Sequence, residues 1–124
     1  MSGDALRLGS RTLATVERAA EAGGVHVSVI SLWEVAMLES RGRLRLSSDC
    51  LAWIRTALSA PGIRLMPLTP EIAVASARLP AAFHGDPADR ILVATARDHG
   101  LTLVTKDERI RAYGAAGYVD VLDG

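Results

Sequence analysis

A chain of 124 residues is long enough to bury a single core, and the reading is one domain over residues 1–124. Its formal net charge is zero, so the molecule as a whole does not attract nucleic acid and any such contact needs a local basic patch. The one cysteine, Cys50, excludes a disulfide scaffold and reads as a small core residue of a protein in a reducing cytoplasm. No stretch has the length of a membrane span, and the first residues lack the apolar core of a signal peptide, so no membrane partner is expected.

Ser10 caps a predicted helix to about Ala22, ended by Gly23-Gly24, and Val25 to Ile30 reads as a strand. Ser31-Leu32-Trp33-Glu34 has the form of a capping box opening a helix that is apolar on nearly every face. Arg41 to Leu46 is an extended connector with Arg41, Arg43 and Arg45 alternating along it. A helix from Asp49 to about Ser59 follows, ending before Pro61-Gly62. Ile63 to Leu68 is the next strand, and Thr69-Pro70-Glu71 starts a helix to about Leu79. After a loop from Pro80 to Gly85, Asp86-Pro87 opens the best-defined helix, which stops at His99-Gly100 and feeds the strand Leu101 to Val104. Thr105-Lys106-Asp107 is a turn, a short helix reaches about Tyr113, and Val119 to Leu122 is the last strand. Gly114 to Gly117 reads as a turn. Strands alternating with helices predict an α/β fold with one parallel sheet flanked by helices.

Three acids stand at one edge of such a sheet. The helix from Pro87 runs roughly 18 Å at about 1.5 Å per residue, so its N-terminus and Asp89 lie near the carboxyl end of the strand it feeds. Asp107 follows that strand, and Glu34 opens the helix after the strand ending at Ile30. Ligand sites of open α/β sheets lie at this edge, and helix N-termini favour ionised acids there. Convergent carboxylates are what a hard cation such as Mg2+ takes, together with water and phosphate oxygens. Each acid also has a plain structural reading: Glu34 as a capping-box partner, Asp89 as a first-turn acid, Asp107 as a turn or cap residue, and Asp86, before Pro87, as an N-cap. Arg41, Arg43 and Arg45 either grip RNA phosphates or form a solvated loop. His26, His84 and His99 have no zinc-ligand spacing, and Trp33 and Trp53 read as core rather than base-stacking residues. Nucleotide-binding loops and a serine-hydrolase elbow are absent, and no middle strand ends in the acid a phosphoacceptor receiver requires.

Ser-Leu-Trp-Glu-Val-Ala, Gly-Arg-Leu-Arg-Leu, Asp-Pro-Ala-Asp-Arg-Ile-Leu-Val-Ala-Thr-Ala and Leu-Thr-Leu-Val-Thr-Lys-Asp occur in that order. From about Leu8 to Leu122 the chain thereby resembles the PIN-domain ribonuclease toxins of the VapC type. The resemblance implies a PIN-like three-layer fold and a metal-dependent endoribonuclease that hydrolyses RNA. It makes Glu34, Asp89 and Asp107 ligands of Mg2+ or Mn2+, with Thr105 supporting the water shell and Arg90 meeting the scissile phosphate or a neighbouring carboxylate. It also implies a cognate VapB-type antitoxin and a homodimer in the cytoplasm. The family's first central strand and its terminal Asp have no counterpart in Met1 to Gly9, and Asp4 does not replace that ligand. This predicts an impaired or self-association-dependent chain; the alternative to an active toxin is a remnant that only binds antitoxin or self-associates.

Overall fold

The computed structural model describes residues 24–123, so the expected helix from Ser10 and the expected loss of a first strand lie outside the described residues. The chain divides into two compact units, Met1–Met66 and Pro67–Gly124.

In the first unit, β1 (Val25–Ser28) is followed by α1 (Val29–Ser40), α2 (Cys50–Leu58) and β2 (Ile63–Met66). β2 pairs parallel to β1, with Val25 opposite Ile63 and Ser28 opposite Met66. The boundary between β1 and α1 corrects the sequence reading. Ser28, not Ser31, is the N-cap, its hydroxyl accepting the Ile30 N–H at 3.1 Å. The capping box therefore does not form, and Glu34 sits in the second turn of α1. Val29 and Ile30 favour strands as β-branched residues, yet the Ser28 cap starts the helix at Val29. At the other end, Arg43 N–H bonds Leu38 O at 2.9 Å and Gly42 N–H bonds Glu39 O at 3.0 Å, the paired bonds of a Schellman motif. Asp49 caps α2 as expected, accepting the Ala52 N–H.

The second unit runs α3 (Pro70–Ala77), α4 (Pro87–His99), β3 (Thr102–Thr105), α5 (Glu108–Ala115) and β4 (Asp120–Asp123). Thr69 caps α3, with Pro70 in its first turn. α4 packs on α3, where Ile72 is completely buried, and its other buried side is part of a core of Val93, Ala96, Ile110, Tyr113 and Val119. Gly100 ends α4 at φ +63°, a left-handed conformation that glycine adopts without a Cβ clash, and Leu101 N–H closes the turn on Ala96 O at 2.8 Å. That turn sends the chain into β3, which pairs parallel to β4 from Thr102 opposite Asp120 to Thr105 opposite Asp123.

Gly114 is helical rather than part of a turn. A Cβ there would lie 2.6 Å from Val121 Cγ2, so only glycine allows α5 to approach β4 this closely. The fold is α/β with parallel strands, as expected. Among the described residues the strands form two two-stranded sheets, β1–β2 and β3–β4, rather than one.

Candidate metal centre

Asp89 and Asp107 reach one place from two elements of the second unit. α4 begins at Pro87 with Asp86 as N-cap, whose Oδ1 accepts the Asp89 N–H at 3.1 Å. Asp86 thus has the capping role read from its position before proline, and Asp89 is set in the first turn. Asp107 caps α5: its Oδ1 accepts N–H groups from Arg109 at 2.9 Å and Ile110 at 3.0 Å. This fixes one carboxylate oxygen and leaves Oδ2 facing outward to other charges. Thr105 Oγ1 accepts the Asp107 N–H at 3.0 Å, so the threonine sets the turn that aims the acid.

His84 completes the group. One donor atom from each of His84, Asp89 and Asp107 lies within 4.8 Å of the other two. The His84 Nε2 atom is buried and 3.2 Å from Asp89 Oδ2, but without the alignment of a hydrogen bond. Its Nδ1 accepts the Asp86 N–H at 3.3 Å, which selects the neutral tautomer with its proton on Nε2. In that state His84 presents a donor to Asp89 rather than a lone pair to a cation. Arg109 lies astride both acids, its Nη2 3.9 Å from Asp89 Oδ2 and 3.8 Å from Asp107 Oδ2, on a side chain 61% exposed.

Burial raises the pKa of Asp89 above the ordinary carboxylate value. The charges of Asp86 and Asp107 push it further, while His84 and Arg109 pull it back. Two carboxylates share a small space, one of them desolvated, and Arg109 meets both at the long end of ion-pair distance from an exposed side chain. That donor set fits a hard divalent cation with oxygen ligands.

Arg90 does not face this group with its donors. Nε donates to Ser76 O at 2.8 Å, and Nη1 donates to Phe83 O at 3.0 Å and His84 O at 3.2 Å. It clamps the loop that carries His84, a loop in which Ala81 has φ +58°. Glu34 stands half-buried on α1 in the other unit. Arg41, Arg43 and Arg45 are exposed, and Leu44 between them is buried, anchoring the strip. Trp33, expected in the core, is 52% exposed, whereas Trp53 is partly buried. His84 and Arg109 escaped the sequence reading. The signal for each was its spacing, two residues before Asp86 and two after Asp107.

Parallel β-α units that gather acids beyond the carboxyl end of a strand define the class of α/β proteins with an acidic site at the sheet edge. Within that class the PIN domain matches residues 4–116. Ribonuclease VapC22 of Mycobacterium tuberculosis (strain ATCC 25618 / H37Rv) is 38% identical over 112 residues, covering 90% of this chain and 82% of that protein. The chain belongs to the PIN-domain family and is of the VapC type.

Proposed function

We propose that the protein is a metal-dependent endoribonuclease toxin that hydrolyses RNA phosphodiester bonds and is neutralised by a cognate VapB-type antitoxin. The observation that carries this reading is the meeting of Asp89, Asp107 and His84 within 4.8 Å. Similarity to a protein named as a VapC ribonuclease supports the substrate and the partner. In this reading Glu34, Asp89 and Asp107 hold Mg2+ or Mn2+, and residues 1–124 act as a single PIN-like domain, which the family match across both units supports.

A bound divalent ion supplies Lewis acidity toward phosphoryl oxygen and acidifies water. The chain's own part is preorganisation. Asp107 has one oxygen tied by two N–H groups of α5, so its other oxygen is held for the cation without further ordering. His84 Nε2 lies 3.2 Å from Asp89 Oδ2, and Arg90 fixes the loop behind His84. Thr105 sets the backbone of Asp107. Arg109 offsets part of the repulsion between the two acids and is the charge that a cation would replace. Exposed Arg41, Arg43 and Arg45 are available to RNA phosphates. The protein works in the cytoplasm as a homodimer; no helix among the described residues is long and apolar enough to cross a membrane.

Calorimetric titration with Mn2+ and cleavage of single-stranded RNA in Mg2+ test this together. The intact chain binds Mn2+ and cleaves RNA, and Asp89→Ala loses both, cleavage falling by at least about a hundredfold, as loss of several kcal/mol of charge stabilisation requires. Glu34→Gln weakens Mn2+ binding. Cleavage that survives chelation or Asp89→Ala refutes the metal mechanism. A chain that takes up no Mn2+ yet binds an antitoxin is the catalytically impaired remnant.

A further inference from the structure

A cleft of about 330 Å³ opens beside the acids, lined by Phe83, His84, Arg109, Ala112, Tyr113 and Tyr118. Its size is at the lower end of the range for small-molecule sites. Two of its residues, His84 and Arg109, also lie against the Asp89 carboxylate, so the cleft begins where the acidic group ends. A second, larger cavity of about 450 Å³ between α3 and α4, lined in part by Arg78 and Arg97, shares no residue with the acids.

The cleft wall is an unbroken run of rings leading away from Asp89. His84 and Phe83 have centroids 4.3 Å apart, Phe83 and Tyr113 4.7 Å, and Tyr113 and Tyr118 4.8 Å at a nearly parallel 23°. Tyr113 is buried and its hydroxyl donates to Pro80 O, so it is a fixed backing. Phe83 and Tyr118 are only partly buried, and Ala112 and Arg109 are exposed at the rim. Rings at partial exposure, a planar guanidinium and a small alanine position offer flat apolar faces with one cationic edge. That is the surface on which unstacked RNA bases rest, because stacking on aromatic and arginine planes is the general means of holding single-stranded RNA.

We propose that this cleft receives a nucleobase of the RNA, from a nucleotide next to the phosphate that lies at the acids, with Arg109 bridging phosphate and base. The proposal rests on the nuclease reading for the position of the phosphate. It commits to a base rather than a protein side chain because the cleft is continuous with the phosphate-handling group and its cationic edge faces that group.

Two measurements on the full chain test it. In aromatic and methyl NMR spectra of the wild type, AMP and UMP shift the ring signals of Phe83 and Tyr118 and the Ala112 methyl, while ribose 5-phosphate leaves these signals in place. Ala112→Phe fills the cleft from an exposed helical position without removing a core contact. It weakens binding of a fluorescein-labelled mixed-sequence single-stranded RNA 10-mer by at least about fivefold, the low end of one lost base stack, and leaves Mn2+ affinity unchanged. Nucleotide shifts that avoid the cleft, or wild-type RNA affinity in Ala112→Phe, overturn the proposal; the latter is what a protein-binding cleft would give. Failure of wild-type Mn2+ binding sinks the metal reading alone, since the nucleotide shifts in the cleft are read without metal.

Discussion

α1 and α4 carry candidate ligands on helices that bury themselves in opposite ways. α4 is amphipathic: Ala88, Val93, Ala94, Thr95 and Ala96 are buried, while Arg97, Asp98 and His99 stay in solvent. α1 is apolar on almost every face, yet among its residues only Val35 is buried, and Trp33 and Val29 are exposed. Four successive buried residues, Val93 to Ala96, enclose α4 on nearly every side before its last turn meets solvent, whereas α1 is apolar all round without such enclosure. The second unit therefore fixes Asp89 by its own packing. Glu34 stands half-buried on a helix in which Val35 is the buried residue.

The largest effect expected from this contrast is on stability. Ile110 is 1% exposed at the centre of the second unit's core, and Ile110→Ala removes buried methyl groups and leaves a cavity. It should cost about 2–5 kcal/mol in denaturant unfolding. Trp33→Ala on α1, although a larger truncation, should cost less than Ile110→Ala because half of that ring is already in solvent. Equal losses would show that α1 is as tightly packed as α4.

The order of these elements was legible because their ends are local signals. Asp86-Pro87 and Gly100 mark α4 within a residue or two, and Thr69-Pro70 does the same for α3. Asp89 and Asp107 were legible for the same reason, both standing at helix starts. The start of α1 was not, since Ser28 and Ser31 are both good caps and no local signal separates them. Nor was His84. Its approach to Asp89 depends on a loop held by Arg90 through Ser76 O, fourteen residues away, and no local pattern records such a bond. Strand pairing is likewise non-local, and the single sheet read from alternation appears among the described residues as two.

His84 sharpens the comparison on the side of the self-contained unit. If its Nε2 proton faces Asp89, then His84→Ala lowers Mn2+ affinity by about 10–100-fold, the usual cost of losing a group that orients a ligand. Echo spectra of the Mn2+-loaded wild type should then show no imidazole nitrogen coupling. A strong coupling that disappears in His84→Ala would make the histidine a ligand and reverse the tautomer.

The pH dependence follows from Asp89. Its pKa is raised in the fold, chiefly by burial and then by Asp86 and Asp107, so the folded protein keeps a proton that the unfolded chain has released. The group's ionisation opposes folding: below the unfolded value, about 3.9, the carboxyl is protonated in both states and imposes no such penalty. The penalty grows as pH rises toward the folded value and is complete above it. Melting of the metal-free chain should show Asp89→Asn gaining on wild type over that interval, and added Mn2+ should remove the advantage. A constant difference across the interval would place the carboxylate in solvent.

The smallest effect expected lies on the first unit's exposed strip. Arg43 is exposed beside the buried Leu44, so Arg43→Ala should leave the melting temperature unchanged and act only through charge. If the strip meets RNA phosphates, the logarithm of RNA affinity against the logarithm of salt concentration becomes shallower by about 0.7, the single-strand value for one neutralised phosphate. The same substitution leaves Mn2+ binding untouched, because exposed Arg43 is not among the residues proposed to hold the ion. An unchanged salt slope would assign the strip to solvent and leave RNA contact to the second unit, with Arg109 as its exposed cation nearest the two acids.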